Sequence, residues 1–320
     1  MEIYARPELG NAPTWVTEDT PIPSSKRTAI QTLKKYNNPK LARADFIELL
    51  NDLKSRVFLF NSQTSDYIHL YEEMLPFREE YLQIVKASFV IDDANVLIGD
   101  FLQDLYSGIN SSMMVQLEIK KVFLHEIFIY TIAIMFKAKD YESLSYFLNR
   151  SYFGKKYDKN SQQTGFAIFY HNSQPLSQAK SKKDEKNYHS GTAQQWIDSI
   201  ASDYCNKKEF AFADVLLCNY AFFGASYNYD WPWFPVSYIY DGEYDTILQD
   251  IASQMKSKEI AQRWSKVFGF DDFEQFQAKM RSVLEKMNSQ REQRLRYNMS
   301  FSHVQLLSDF IKPDEIGIIK

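Results

Sequence analysis

Apolar side chains recur at three- and four-residue intervals through most of the chain, the period at which one face of an α-helix is buried. In "PKLARADFIELLNDLKSRVFLF" the set Phe46, Leu49, Leu50, Leu53 and Val57 draws one stripe, and Pro39 stands where a helix can begin. The pattern continues in "SDYIHLYEEMLPFREEYLQIVKASFVI", where Pro76 marks a kink or a fresh start. Further helices are predicted at about 93–107, 112–138 and 140–149. Between 150 and 192 the helical period lapses, and "GFAIFYHN" reads as a short strand or an extended connector. The following "SQAKSKKDEKNYHSG" is charged and nearly free of apolar side chains, so it is expected to stay a mobile loop over 177–191. Helices resume at 192–205, 209–223, 243–256, 257–268 and 271–296, and "SHVQLLSDFI" reads as one more.

These elements give a mostly α fold: a multi-helix bundle, as one body or as two helical lobes. An extended proline-rich N-terminal arm occupies 1–25, one helical lobe 26–150, an irregular connector 151–191 and a second lobe 192–320. The arm follows from Pro7, Pro13, Pro21 and Pro23, which exclude helix. With Tyr4 and Trp15 as anchors it wraps its own body or reaches a partner chain. A chain of 320 residues exceeds what a single core usually fills, which favours two lobes.

The longest apolar run, "VFLHEIFIYTIAIMF" (122–136), is too short to span a bilayer and contains His125 and Glu126. It reads as a core helix, with the ionisable pair hydrogen-bonded to neighbouring backbone. The N-terminus has no secretory pattern, and Cys205 and Cys218 read as buried small hydrophobes, so a cytoplasmic protein is expected. A net charge of −4 does not favour nucleic acid as the partner.

The share of aromatic residues, 16%, is high and is concentrated in "YNYDWPWFPVSYIYDG" (227–242), seven rings among sixteen residues. Pro232 and Pro235 exclude helix on either side of Trp233, so the stretch must be an extended connector. Trp231, Trp233, Phe234, Tyr238 and Tyr240, with Trp15, are the candidate binding residues. The rings either plug a seam between helical layers or remain open as a stacking wall for a nucleobase or a partner side chain.

Catalytic fingerprints are absent: there is no zinc spacing, no glycine-rich phosphate loop and no nucleophile elbow. No cofactor and no metal are expected. One catalytic pair stands out, Arg296 and His303 in "RYNMSFSH", preceded by the basic "REQRLR". Their spacing resembles the loose Arg-to-His signature of the helical HEPN ribonucleases, which implies a histidine that moves the 2′-hydroxyl proton and an arginine that steadies the phosphorane. Tyr297 stands where that family has a small polar residue.

The segments "HEIFIYTIAIMFKAKDYESLSYFL" (125–148), "EFAFADVLLCNY" (209–220), "WFPVSYIY" (233–240) and "HVQLLSDFIKPDEIGIIK" (303–320) together resemble an all-helical region of bacterial proteins, often encoded near or fused to antiphage-defence components. The likeness covers roughly 60–320. It implies a regulatory or scaffolding helical body beside an effector, and brings no catalytic residues. The expectation is a non-catalytic adaptor, sensor or inhibitor that binds a protein partner or itself. The competing expectations are a HEPN-like ribonuclease and a nucleotide-signal receptor that stacks a base on Trp231 or Trp233.

Overall fold

In a computed structural model the described residues are 39–110, 116–155, 162–226, 233–240, 243–297 and 304–319. They form eleven α-helices and one short strand pair, and divide into two compact units, residues 1–123 and 124–320. The predicted N-terminal arm lies outside the described residues.

The first unit contains α1 (Pro39–Leu59), α2 (Tyr67–Ala87), α3 (Ala94–Asn110) and the opening turns of α4 (Leu117–Lys137). The stripe of Phe46, Leu49, Leu50, Leu53 and Val57 is buried as its spacing requires. Asp66 caps α2 by accepting from the amides of Ile68 at 2.9 Å and His69 at 3.5 Å. Pro76 sits inside this single helix, so no new element starts there. Tyr81 of α2 stacks on Phe101 of α3, ring centroids 5.5 Å apart. Two polar side chains of the α4 end tie down the exit from α1. Lys120 Nζ donates to the Phe58 carbonyl at 2.8 Å, and Gln116 Nε2 donates to the Ser62 carbonyl at 2.9 Å. Burial pulls the Lys120 ammonium below its usual pKa.

The second unit holds the rest of α4, then α5 (Tyr141–Asn149), the antiparallel pair β1 (Phe153–Lys155) and β2 (Gln162–Thr164), and a buried 3₁₀ turn at Phe166–Phe169. It continues with α6 (Gln174–Lys183), α7 (Gly191–Asp198), α8 (Lys207–Phe223), α9 (Tyr244–Gln254), α10 (Lys258–Val267) and α11 (Phe273–Tyr297). Every residue from 124 to 135 of α4 and from 210 to 223 of α8 is buried, so these two helices are surrounded by protein on all sides. A helix without a polar face has no other stable place outside a membrane. None of the described helices is long and apolar enough to cross one.

Several segments differ from their sequence reading: "GFAIFYHN" forms a buried 3₁₀ turn at Phe166–Phe169, the helix expected over 192–205 ends at Asp198, and two further segments change character. The charged stretch expected to remain a loop supplies α6, which packs against α7. Few apolar atoms are needed there. Ser173 caps the helix through the Leu176 amide, Leu176 is fully buried, and Lys180, nearly buried, pairs with Asp198 at 2.6 Å and Asp184 at 2.9 Å. Burial alone would lower the Lys180 pKa, but its hydrogen bonds to Asp198 and Asp184 raise it. Gly191 lets α7 approach α6 closely, because any Cβ there would collide with the Ser177 backbone.

The ending read as a helix at "SHVQLLSDFI" is described from Val304, and there it makes only a 3₁₀ turn at Leu307–Asp309. Side chains hold its first amides, and Pro313 keeps Lys312 extended, so the turn does not grow into a helix. Gln305 N–H reaches the Tyr244 hydroxyl at 3.3 Å, Leu306 N–H the Asp309 carboxylate at 2.7 Å, and Leu307 N–H the Asn219 amide oxygen at 2.7 Å. The last residues then lie along the α9–α10 junction, Ile319 pairing in parallel with Ser257.

Candidate functional site

The polar residues of the two enclosed helices mark the centre of the second unit. In "EFAFADVLLCNYAFF" of α8, Asp214 and Asn219 are the only residues of the buried run with a strongly polar side chain, and both are fully buried. Asp214 accepts four hydrogen bonds from the aromatic connector. Trp233 Nε1 donates to Oδ1 at 2.6 Å, while the amides of Val236 (2.7 Å) and Ser237 (3.0 Å) and the Ser237 hydroxyl (2.8 Å) donate to Oδ2. Burial raises the Asp214 pKa, and these four donors act against that shift. A bond to a charged acceptor contributes about 1.5–3 kcal/mol. The carboxylate thus fixes a segment that proline keeps out of an α-helix; it is extended as expected only as far as Ser237 and then closes in a 3₁₀ turn at Tyr238–Tyr240.

The connector then alternates. Trp233, Pro235 and Ser237 are buried, whereas Phe234, Val236, Tyr238 and Tyr240 are half-buried and Ile239 is 42% exposed. Ser190 N–H donates to the Tyr240 hydroxyl at 2.9 Å, which ties the start of α7 to the same segment.

Trp233 enters a ring cluster formed by α4, the 166–170 turn and α7. Its centroid lies 4.7 Å from His125, 5.5 Å from Tyr170, 5.7 Å from Phe166 and 6.0 Å from Phe128. Trp196 of α7 also meets His125 edge to face, at 4.9 Å. The imidazole is therefore enclosed by rings, and burial holds its pKa down from 6.5 to about 3, leaving it neutral. His125 Nδ1 lies 2.9 Å from the His171 carbonyl. Burial, with the charge of Asp214 adding to it, raises the Tyr170 phenol well above its ordinary pKa.

Chemically this cluster is poorly suited to turnover. The Asp214 oxygens are occupied by donors, the imidazole titrates far below neutrality, and burial pushes the Cys218 thiol well up. No group of three or more metal-ligating side chains occurs among the described residues.

Of the residues singled out in the sequence, Trp233, Phe234, Tyr238 and Tyr240 are brought together on the Asp214-anchored connector. Trp233 is wholly buried and acts as a plug; it offers no open face to a base. Trp15, Trp231 and His303 lie outside the described residues. Arg296 belongs to the last turn of α11, and its side chain, like His303, lies outside the described residues. The residues that sequence reasoning passed over are Asp214, Trp196 and Tyr170. Asp214 did carry a signal, a lone carboxylate in an otherwise apolar helix.

Comparison with protein-family models, curated proteins and solved structures found no match to this chain. The likeness to the defence-associated helical region therefore rests on the quoted segments alone.

Proposed function

We propose that the chain is a non-catalytic interaction protein, an adaptor, sensor or inhibitor that engages a protein partner through the outward side of its aromatic connector. One observation carries this reading: Asp214 anchors the connector so that Trp233, Pro235 and Ser237 face the core while Phe234, Tyr238, Ile239 and Tyr240 are left at least partly in contact with solvent. Aromatic side chains on a rigid support suit recognition, because they bring contact area with little rotamer entropy to lose. The occupied carboxylate and the neutral imidazole support a binding role over a catalytic one. The sequence likeness suggests that the partner is an effector of a bacterial antiphage-defence or stress system.

The test is co-expression with the products of adjacent genes, followed by native mass measurement. A complex that forms with the wild type and is lost in Ile239→Asp is expected. A chain that stays alone in every combination would count against the proposal, as would RNA cleavage that disappears in His303→Ala.

A further inference from the structure

Of the eight large apolar side chains that are exposed among the described residues, three fall close together in the first unit: Phe89 (42%), Val90 (54%) and Val96 (37%). Phe89 and Val90 belong to the 3₁₀ turn that follows α2, and Val96 to the first turn of α3, so all three sit at the corner between these helices. A single exposed apolar residue is ordinary, but a cluster marks a surface that something covers. The corner is also acidic. Asp92, Asp93 and Asp100 are exposed around it, and after Lys86 the chain carries four aspartates and no basic residue as far as Asn110.

The geometry of the first unit delivers a complementary segment to this corner. Lys54 pairs with Asp104 at 2.6 Å, and the Phe58 ring occupies the space that a Cβ on Gly108 would need. Both contacts join residues 50 positions apart, so α1 and α3 run parallel and Ala44 is level with Ala94. Pro39, five residues before Ala44, therefore lies about 7.5 Å beyond the start of α3, at the end of the unit where the Phe89–Val90 turn lies. The chain reaches that point through "KRTAIQTLKKYNNP" (26–39). Ala29, Ile30, Leu33 and Tyr36 fall on one face at helical spacing, and Asn38-Pro39 suits a sharp change of direction. From Thr20 to Ala44 there are six basic residues and no acidic one. Residues 26–36 lie outside the described residues.

We propose that residues 26–36 dock on this corner of their own chain as an amphipathic helix, with Ile30, Leu33 and Tyr36 covering Phe89, Val90 and Val96 while Lys34 and Lys35 meet Asp92 and Asp93. A helix of that length measures about 16 Å, enough to run from the turn along the first turns of α3. It is too short to be stable by itself, so the corner supplies the packing that orders it. Attachment through Asn37 and Asn38 holds the segment at an effective concentration of about millimolar or above, so modest contacts suffice. The surface is separate from the aromatic connector and does not depend on what the connector binds.

Hydrogen exchange of the full chain tests the docking. The amides of residues 29–36 should exchange at least about tenfold more slowly than those of a free peptide, and Phe89→Asp with Val90→Asp should return them to the free rate while α1 and α3 keep theirs. Lys34→Glu with Lys35→Glu leaves the corner itself intact and should also speed the exchange; adding Asp92→Lys with Asp93→Lys should restore the protection. Free exchange in the wild type would overturn the proposal, as would protection that survives the changes at Phe89 and Val90. Oxidation of the chain carrying Leu33→Cys and Val90→Cys identifies the occupant. A cross-link within one chain is expected, and a covalent dimer would give the corner to a second copy and sink the proposal.

Discussion

α4 and α8 are both enclosed over long runs, yet the polar groups they set beside the connector, His125 and Asp214, are held in opposite ways. On α8 the acceptors are filled: Asp214 takes four donors from the connector, and Asn219 accepts from Leu307 N–H while donating to the Val215 carbonyl at 3.0 Å. On α4, His125 meets the backbone of His171 through one ring nitrogen and leaves the other without a partner among the protein's groups. The difference teaches what each helix is for. α8 is a fixing post for chain that proline keeps out of an α-helix. α4 is the wall against which that chain leans, and its polar atom is tuned by burial more than by bonding.

The largest effect that would test this contrast is expected at Asp214. Replacing it with Ala strands an indole N–H, two amides and a hydroxyl in the core, which should cost about 3–5 kcal/mol in urea unfolding. A loss under about 1 kcal/mol would mean the connector is held by its rings alone.

The pH response should separate the two helices by sign. The unfolded His125 imidazole gains a proton near 6.5, whereas the folded one resists until about 3. Between those values the unfolded chain binds more protons, so His125 makes stability fall as pH drops, by up to about 1.4 kcal/mol per pH unit. Asp214 has a raised pKa in the fold, so its contribution is greatest below the ordinary carboxylate range and declines as pH rises through its folded value. Urea midpoints at several values between pH 7 and pH 5 should show a shallower slope for His125→Phe than for the wild type. Parallel slopes would refute the neutral, enclosed imidazole.

Asn219→Ala should lose about 1–2 kcal/mol, because the Leu307 amide is left without its acceptor. Hydrogen exchange should show the Leu307 amide opening while that of Val236 stays protected. Ile239→Lys is expected to change stability by less than about 0.5 kcal/mol, since the side chain is 42% exposed. A larger drop in thermal midpoint would show that the connector's outer side is packed.

Much of this fold was legible in the amino-acid sequence, because burial and period are local signals. The stripe from Phe46 to Val57, the all-apolar character of 122–136 and the prolines flanking Trp233 each point to the element that forms. The segments that misled are those fixed by distant groups. α6 has too little apolar surface to announce itself, and its order comes from Asp198 and from the bare Cα of Gly191, both beyond its own C-terminus. The ending near Leu307 has a helical period, but it is pinned at its start by distant Tyr244 and Asn219 and stopped by Pro313. Of the candidate site, the rings could be seen and their carboxylate anchor could not. A lone Asp in an apolar run says that a partner exists without saying which residue it is.

The pegging of irregular chain by enclosed helices has a temporal consequence. The contacts that order these loops join residues 46 (His125 with His171), 71 (Ala201 with Tyr130) and 88 (Leu307 with Asn219) positions apart. Closing spans of that length is entropically slow, and the pegs exist only after α4 and α8 have found their places. Helices should therefore assemble first and the turn near His171 and the tail lock afterwards, whereas the connector, held by Asp214 only 19 to 23 positions away, can close as soon as α8 is in place.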